Sequence, residues 1–109
     1  MANTFKLKTK ANVGVTTVGI YTAPAATTTV VIGITLSNTS GSGVNVGVGI
    51  TRAGTTEDVK LLKNAPIPQG SSLEFMGGNK VVLETSDTLT VDCDTNNSID
   101  AALTIMEIT

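Results

Sequence analysis

Apolar and polar residues alternate along two neighbouring runs near the middle of the chain, at residues 28–37 and 44–51. The aliphatic positions are Val30, Ile32, Ile34 and Leu36 in the first run, and Val44, Val46, Val48 and Ile50 in the second. A period of two is typical of β-strands, because successive side chains point to opposite faces. Residues 38–43 between the runs have the composition of a turn. The pattern predicts a long antiparallel hairpin, and its aliphatic face requires a second sheet to cover it.

Shorter alternating runs follow the same pattern along the rest of the chain. They predict strands at residues 3–10, 12–21, 59–63, 71–76, 80–84, 88–94 and 99–108. Proline, glycine and asparagine separate them: residues 22–26 read as a connector, 64–70 as a crossing between sheets and 77–79 as a tight turn. Eight or nine short strands, separated by turns at roughly 8–12-residue intervals, are typical of an all-β fold. We therefore expect one domain, residues 1–109, with a jelly-roll-like antiparallel β-sandwich.

The first alternating run places three lysines on one side of the backbone. Lys6, Lys8 and Lys10 alternate with Phe5, Leu7 and Thr9. Lysines on one face are typical of an edge strand that is protected against further pairing. The alternative is an extended arm, residues 1–11, that reaches a neighbouring subunit.

Composition narrows the range of functions. The net charge is −2, and the basic residues are scattered outside the first ten positions, so nucleic-acid binding is not expected. No apolar run reaches the length of a membrane span, and the first residues lack the apolar region of a secretory signal. The mean hydropathy is +0.24 with 15% charged residues. Such a neutral surface suits a component of an assembly better than a free monomer.

The residues that most often carry catalysis are scarce. The chain has no histidine, and Cys93 is the one cysteine. Histidine is the commonest general base, and a single cysteine forms neither an internal disulfide nor a structural zinc site. The alternation of residues 88–94 points Cys93 inward, as a small buried hydrophobe. We expect neither an enzyme nor a cofactor.

One acidic stretch places oxygen-bearing side chains at alternate positions. Asp92, Asp94 and Asn96 resemble the start of a calcium-binding loop. The match then fails, because Asn97 stands in the place of the loop glycine and Leu103 in the place of the bidentate glutamate. A turn capped by Asx side chains explains the same residues, and a weak cation site is the alternative.

Three glycines share the outward face of the predicted hairpin: Gly33, Gly47 and Gly49. Glycine costs roughly 0.5–1 kcal/mol relative to alanine inside regular structure, so three on one face need a cause. One cause is the close approach of another backbone, such as a neighbouring subunit. The other is strong twist or bulging within the sandwich. Together with the N-terminal run and two outward methionines, the candidate interface residues are Phe5, Lys6, Lys8, Lys10, Gly33, Gly47, Gly49, Met76 and Met106.

Four segments carry a resemblance to a known group of proteins. They are Ile-Tyr-Thr-Ala-Pro-Ala at 20–25, Leu-Ser-Asn-Thr-Ser-Gly at 36–41, the Pro- and Ser-containing stretch 61–74, and residues 78–89. With them the chain resembles the small β-rich virion proteins of tailed bacteriophages, especially those of marine and cyanobacterial hosts. The resemblance implies a capsid decoration (cement) protein or a neck or tail component, and it brings no catalytic residues.

These observations give three functional hypotheses. The first is a non-enzymatic virion protein, assembled in the host cytoplasm, that binds the major capsid protein of the head shell as a homo-oligomer, with a trimer favoured. The second is a neck, collar or tail-surface module. The third is a carbohydrate-binding module for host attachment, for which Tyr21 is the possible exposed aromatic platform.

Overall fold

The computed structural model describes residues 2–55, 57–75 and 80–109, and in these residues every regular element is a β-strand. The strands are β1 (Asn3–Val13), β2 (Val18–Thr22), β3 (Thr28–Asn38), β4 (Val44–Thr51), β5 (Asp58–Ile67), β6 (Ser72–Phe75), β7 (Val81–Leu83), β8 (Thr88–Cys93) and β9 (Ile99–Ile108). The five-stranded sheet has the order β1-β9-β3-β6, with β7 also on β3, and the four-stranded sheet has the order β2-β8-β4-β5. All pairs are antiparallel. The predicted all-β sandwich is confirmed, and the described residues contain no helix long and apolar enough to cross a membrane.

The two central runs do not form the predicted hairpin. β3 lies in the five-stranded sheet and β4 in the four-stranded sheet, so their aliphatic faces meet across the core. Alternation shows on which face of a strand each side chain lies, but it does not show which strand is the partner. The same pattern therefore fits a hairpin within one sheet and a pair of strands in two facing sheets. The Asn38 amide holds the crossing between the sheets, because its Nδ2 donates to the carbonyls of Ser42 at 2.8 Å and Ile67 at 2.9 Å.

A β-bulge in β3 changes which of its residues reach the core. The register against β9 shifts between Val31 and Gly33, with Ile32 as the extra residue. Before the bulge the buried side chains are Thr29 and Val31 rather than the predicted Val30 and Ile32; after it, Ile34 and Leu36 are buried as predicted. A bulge exchanges the two faces of the strand for all residues on one side of it.

Three other strand boundaries differ from the sequence prediction by more than one residue. The predicted strand 12–21 is interrupted, since β1 runs on to Val13 and β2 starts at Val18. β5 extends through Ile67, so the crossing lies at residues 68–71. Pro66 is accommodated because β5 is an edge strand, where a missing N–H need not face a partner.

The predicted tight turn at residues 77–79 lies outside the described residues. On either side of it, β6 and β7 both pair antiparallel with β3, so they run in the same direction along one edge. They therefore do not form the two arms of a hairpin.

At the opposite edge of this sheet, β1 pairs with β9 from Asn3 opposite Ile108 to Lys10 opposite Ala101. Of the two alternatives for the N-terminal segment, the structure contains the edge strand.

The core between the sheets is built mainly from aliphatic side chains. The largest fully buried ones include Ile34, Leu36, Ile67, Leu83, Leu89, Ile99, Leu103 and Ile105. Burying one such side chain contributes about 1.5–3 kcal/mol, so the core supplies most of the stabilisation. Cys93 points inward and is 8% exposed, as its alternation predicts.

Candidate interaction face

The outward side of the five-stranded sheet is apolar at one end. Directly opposed residues of paired strands share a face of the sheet. The register therefore aligns Phe5, Met106, Val30 and Val82 in one row across β1, β9, β3 and β7. Leu7, Ile32 and Ile108 flank this row. We call these residues the outer apolar face: Phe5, Leu7, Val30, Ile32, Val82, Met106 and Ile108.

The outer apolar face is open to solvent, most of all on its edge strand. Phe5 is 69% exposed, Leu7 65% and Val82 55%, whereas Met106 and Val30 in the middle are half-buried by their neighbours. From the strand spacing, the row spans roughly 15–20 Å across the sheet. Contiguous apolar patches of this size on soluble proteins often mark interaction sites.

The other end of the same sheet surface is polar. It carries Thr9, Thr35, Ser37, Ser72, Glu74 and Asp100. Charged groups thus border the outer apolar face and do not interrupt it. A partner surface that covered this face would bury no charge of this chain, and so would need no opposite charge to compensate it.

A buried polar network lies on the inward side of β1 and β9, under the outer apolar face. Glu107 is 6% exposed, and it accepts a hydrogen bond from the Tyr21 hydroxyl at 2.6 Å and pairs with Lys6 Nζ at 2.9 Å. The Tyr21 hydroxyl also lies 2.7 Å from Thr29 Oγ1. Tyr21 belongs to β2, so the network joins the two sheets at the edge where β1 lies.

These contacts shift two pKa values in opposite directions. The hydrogen bond from Tyr21 and the contact with Lys6 hold the pKa of the Glu107 carboxyl below its usual range. Burial, followed by the hydrogen bond to Glu107, raises the pKa of Tyr21 to about 12. Glu107 is therefore ionised and Tyr21 neutral at physiological pH.

The predicted interface residues fall on three different surfaces. Phe5 and Met106 lie on the outer apolar face, and Gly33 lies beside them at the bulge. The three lysines of β1 point to its other side, since they are opposed to the buried residues Ile105, Leu103 and Ala101. Met76 lies outside the described residues.

Gly47 and Gly49 lie on the outward side of the four-stranded sheet, and both are buried. A Cβ at position 47 would stand 2.5 Å from Asp92 Oδ1. A Cβ at position 49 would stand 3.0 Å from the carbonyl oxygen of Val59 and 3.2 Å from Thr90 Oγ1. Contacts inside the sandwich thus account for both glycines without a neighbouring subunit.

Sequence reasoning missed four members of the outer apolar face: Leu7, Val30, Ile32 and Val82. For Leu7 and Val82 a signal was present, because Leu7 alternates with the lysines on the side of Phe5, and Val82 lies between the inward Val81 and Leu83. Val30 and Ile32 were assigned to the core because the bulge is not visible in their pattern.

Each of the candidate cation ligands already accepts a hydrogen bond from the chain itself. Asp92 Oδ2 accepts a hydrogen bond from the Thr17 hydroxyl, Asp94 Oδ1 from the backbone N–H of Asn45, and Asn96 Oδ1 from that of Val15. Asp92 and Asp94 line one small pocket together with Lys60 and Lys63, and two lysines disfavour a cation there. In the part of the chain that the structure describes, no three His, Cys, Asp or Glu residues are placed to share a metal ion.

Comparison with known proteins supplies a fold relationship. No protein-family model matches the chain, and no curated protein sequence matches it. Among solved structures, one from Bacillus endospore appendages, described as a novel family of disulfide-linked pili, superposes with a TM-score of 0.57. The two chains are 15% identical, and the match covers 99% of this chain and 87% of the appendage chain. The sandwich is therefore a fold that an endospore appendage protein also has.

Proposed function

We propose that this protein is a non-enzymatic structural subunit of a tailed-bacteriophage virion and acts as a capsid decoration protein. It binds the outside of the head shell through the outer apolar face and stabilises the shell. Each contact is weak, and the symmetry of the particle multiplies many of them into a stable coat. A homo-oligomer, with a trimer as the favoured state, would present several such faces at once.

The observation that carries this proposal is the open row of apolar side chains from Phe5 to Val82. Burying a side chain such as Phe5 or Leu7 against a partner contributes about 1.5–3 kcal/mol, so a few of them are sufficient for a contact that symmetry repeats. The assignment to a virion is supported by the sequence resemblance given above.

The carbohydrate-binding hypothesis loses its proposed platform. Tyr21 is 7% exposed, and its hydroxyl is engaged by Glu107 and Thr29, so the ring is not available to stack on a sugar. Among the aromatic side chains whose burial the structure describes, Phe5 is the exposed one, and the neighbouring Leu7 and Met106 are apolar rather than the polar groups that a sugar requires.

The test is to count copies of the chain in purified particles and then to rebind the protein. On the order of hundreds of copies would agree with a shell protein, and on the order of tens with a neck or tail ring. Shells that lack the protein are then mixed with the purified chain, with the double variant Phe5→Ser/Leu7→Ser, or with the control Val15→Ser. Val15 is also an exposed apolar residue, 54% exposed, but it lies outside the outer apolar face.

We expect the double variant to lose binding and the control to retain it. Equal binding of all three proteins would show that the outer apolar face is not the contact. Absence of the chain from purified particles would overturn the assignment to a virion.

A second candidate is a subunit of a protein filament, which the likeness to the endospore appendage structure favours. In such a filament Cys93 would not link the copies as it stands, because its buried thiol donates to the carbonyls of Thr95 at 2.9 Å and Val13 at 3.4 Å. Electron microscopy of the concentrated recombinant protein separates the two candidates. Open filaments would favour the appendage type, and closed oligomers of uniform size would favour the decoration protein.

A further inference from the structure

β1 is the outermost strand of the five-stranded sheet, and its inner ladder shows which of its backbone groups remain free. Ala2 and Thr109 exchange both hydrogen bonds, N–H to O, at 3.0 Å. Hydrogen-bonded and non-hydrogen-bonded pairs alternate along an antiparallel ladder. Thr4, Lys6 and Lys8 are therefore bonded to β9, and the N–H and C=O groups of the residues that alternate with them point away from the sheet. Those residues are Asn3, Phe5, Leu7 and Thr9.

β1 is also the most regular open edge of the sandwich. Its register with β9 is unbroken from Asn3 to Lys10. The other edges are less suited to pairing with a further strand. β2 is short, and its register with β8 shifts after Gly19. The register of β5 with β4 shifts twice, β5 also contains Pro66, and the remaining edge consists of two separate strands, β6 and β7. Long, regular edges are the ones that pair with a further strand.

The side chains of β1 favour the same approach. Phe5 and Leu7 are the two most exposed large apolar side chains of the outer apolar face, and both lie on this outermost strand. A partner strand beside β1 would cover their outer flanks. A partner above the middle of the sheet would first meet Met106 and Val30, which are already half-buried.

The lysines decide which register a second β1 could take. Like charges directly opposite each other destabilise an antiparallel pair. A two-fold axis at Leu7 would oppose Lys6 to Lys8 of the partner, and an axis at Lys6 would oppose the two Lys6 residues. An axis at Phe5 opposes Lys6 to Thr4 and Lys8 to Ala2, so no two lysines face each other, and it gives the longest pairing that has this property. Lys6 is in addition neutralised by Glu107 of its own chain.

We infer that two copies of this chain pair edge to edge through β1, antiparallel, with the two-fold axis at Phe5. The free N–H and C=O groups of Phe5 bond to those of the second Phe5, and those of Asn3 and Leu7 bond to each other between copies. The two five-stranded sheets become one, and the apolar rows from Val82 to Phe5 join end to end. The contact does not depend on which particle the subunit belongs to.

Two properties follow from this geometry. An isologous contact joins copies in pairs, so a trimer would require a different surface. An edge-to-edge contact of this length buries less than the roughly 1,200 Å² of a standard interface, so the dimer is reversible and depends on concentration.

Cysteine cross-linking tests the register. Residues in a hydrogen-bonded antiparallel pair have Cα atoms about 5.5 Å apart, which a disulfide can span. We expect Phe5→Cys to form a covalent dimer under mild oxidation. In the same register, two copies of residue 7 lie roughly 14 Å apart, so the matched variant Leu7→Cys should stay monomeric on a denaturing gel. The unchanged chain controls for Cys93, and Val15→Cys controls for random collisions.

Cross-linking of Leu7→Cys in preference to Phe5→Cys would overturn the proposed register. A second measurement needs no substitution: amide hydrogen exchange of the unchanged chain at increasing concentration. Exchange should slow at Asn3, Phe5 and Leu7 as dimers form, whereas Thr4, Lys6 and Lys8 stay protected throughout. If the exchange rates of all six amides stay the same at every concentration, pairing through β1 is excluded, whether or not the chain binds a virion.

Discussion

The outward side of the four-stranded sheet is covered by side chains of its own strands, whereas that of the five-stranded sheet is bare at its apolar end. On the first, Asp92 lies over Gly47, and Thr90 and Lys60 lie against Gly49. On the second, Phe5, Leu7 and Val82 stand in solvent. The comparison shows that outward glycines and outward aliphatic residues have different meanings. The glycines make room for neighbours in the same chain, whereas Phe5, Leu7 and Val82 are more than half exposed to solvent.

The largest loss of stability is expected when a side chain fills the space above Gly49. In Gly49→Val the new side chain meets a backbone carbonyl that cannot turn away, so we expect unfolding to become easier by about 1–3 kcal/mol. Urea denaturation measures the change. Gly41→Ala is the control, because nothing lies within 4 Å of a Cβ there, and its effect should stay within about 0.5 kcal/mol. Equal stability of the two variants would contradict the comparison.

A double-mutant cycle at Gly47 should give the next largest effect. Gly47→Ala forces the Asp92 carboxylate aside, and in an Asp92→Ala background this conflict is gone. We expect the cost of Gly47→Ala to fall by about 1 kcal/mol in that background. If the two substitutions were additive, Asp92 would not be the reason for the glycine.

The ionised Glu107 carboxylate beneath the outer apolar face predicts a loss of stability as the pH falls. The pKa of Glu107 is lowered, so the folded state favours its ionised form. Its contribution is complete above its ordinary pKa of 4.5 and is lost as the pH falls through the lower, folded-state value. Glu107→Gln should therefore be less stable than the unchanged chain at neutral pH, and the difference should narrow at acid pH. Glu74→Gln, at an exposed site on the same sheet, should match the stability of the unchanged chain at neutral pH.

The smallest effect on stability is expected where the outer apolar face is most open. Phe5→Ser/Leu7→Ser removes side chains that are more than half exposed, so the free energy of unfolding should change by no more than about 0.5 kcal/mol. The same variant should lose self-association in light scattering. A large loss of stability would mean that these side chains belong to the fold and not to an interface.

The sequence predicted single strands well and their pairing poorly. The bounds of β9 agree with the alternation, as does the inward position of Cys93. The partner of β3 could not be deduced, because β9 and β4 offer it similar aliphatic faces. The bulge at Ile32 was equally hidden, since Gly33 was its one signal and a glycine has several possible causes.

The sequence revealed only part of the outer apolar face, because alternation does not show which strands pair. Phe5 and Met106 were each predicted separately as candidate interface residues. Their alignment in one row follows from the register of β1, β9 and β3, which joins opposite ends of the sequence. Local alternation carries no information about contacts at that separation.

Because β1 pairs with β9, β1 can join its sheet only after nearly the whole chain has been synthesised. β1 is the first of the nine strands to leave the ribosome and β9 is the last, so at 5–20 residues per second β1 waits on the order of 5–20 s for its partner. Throughout this interval Phe5 and Leu7 belong to an unpaired segment beside other nascent chains. Charged residues beside a hydrophobic strand oppose its aggregation, and Lys6, Lys8 and Lys10 occupy such positions next to Phe5 and Leu7.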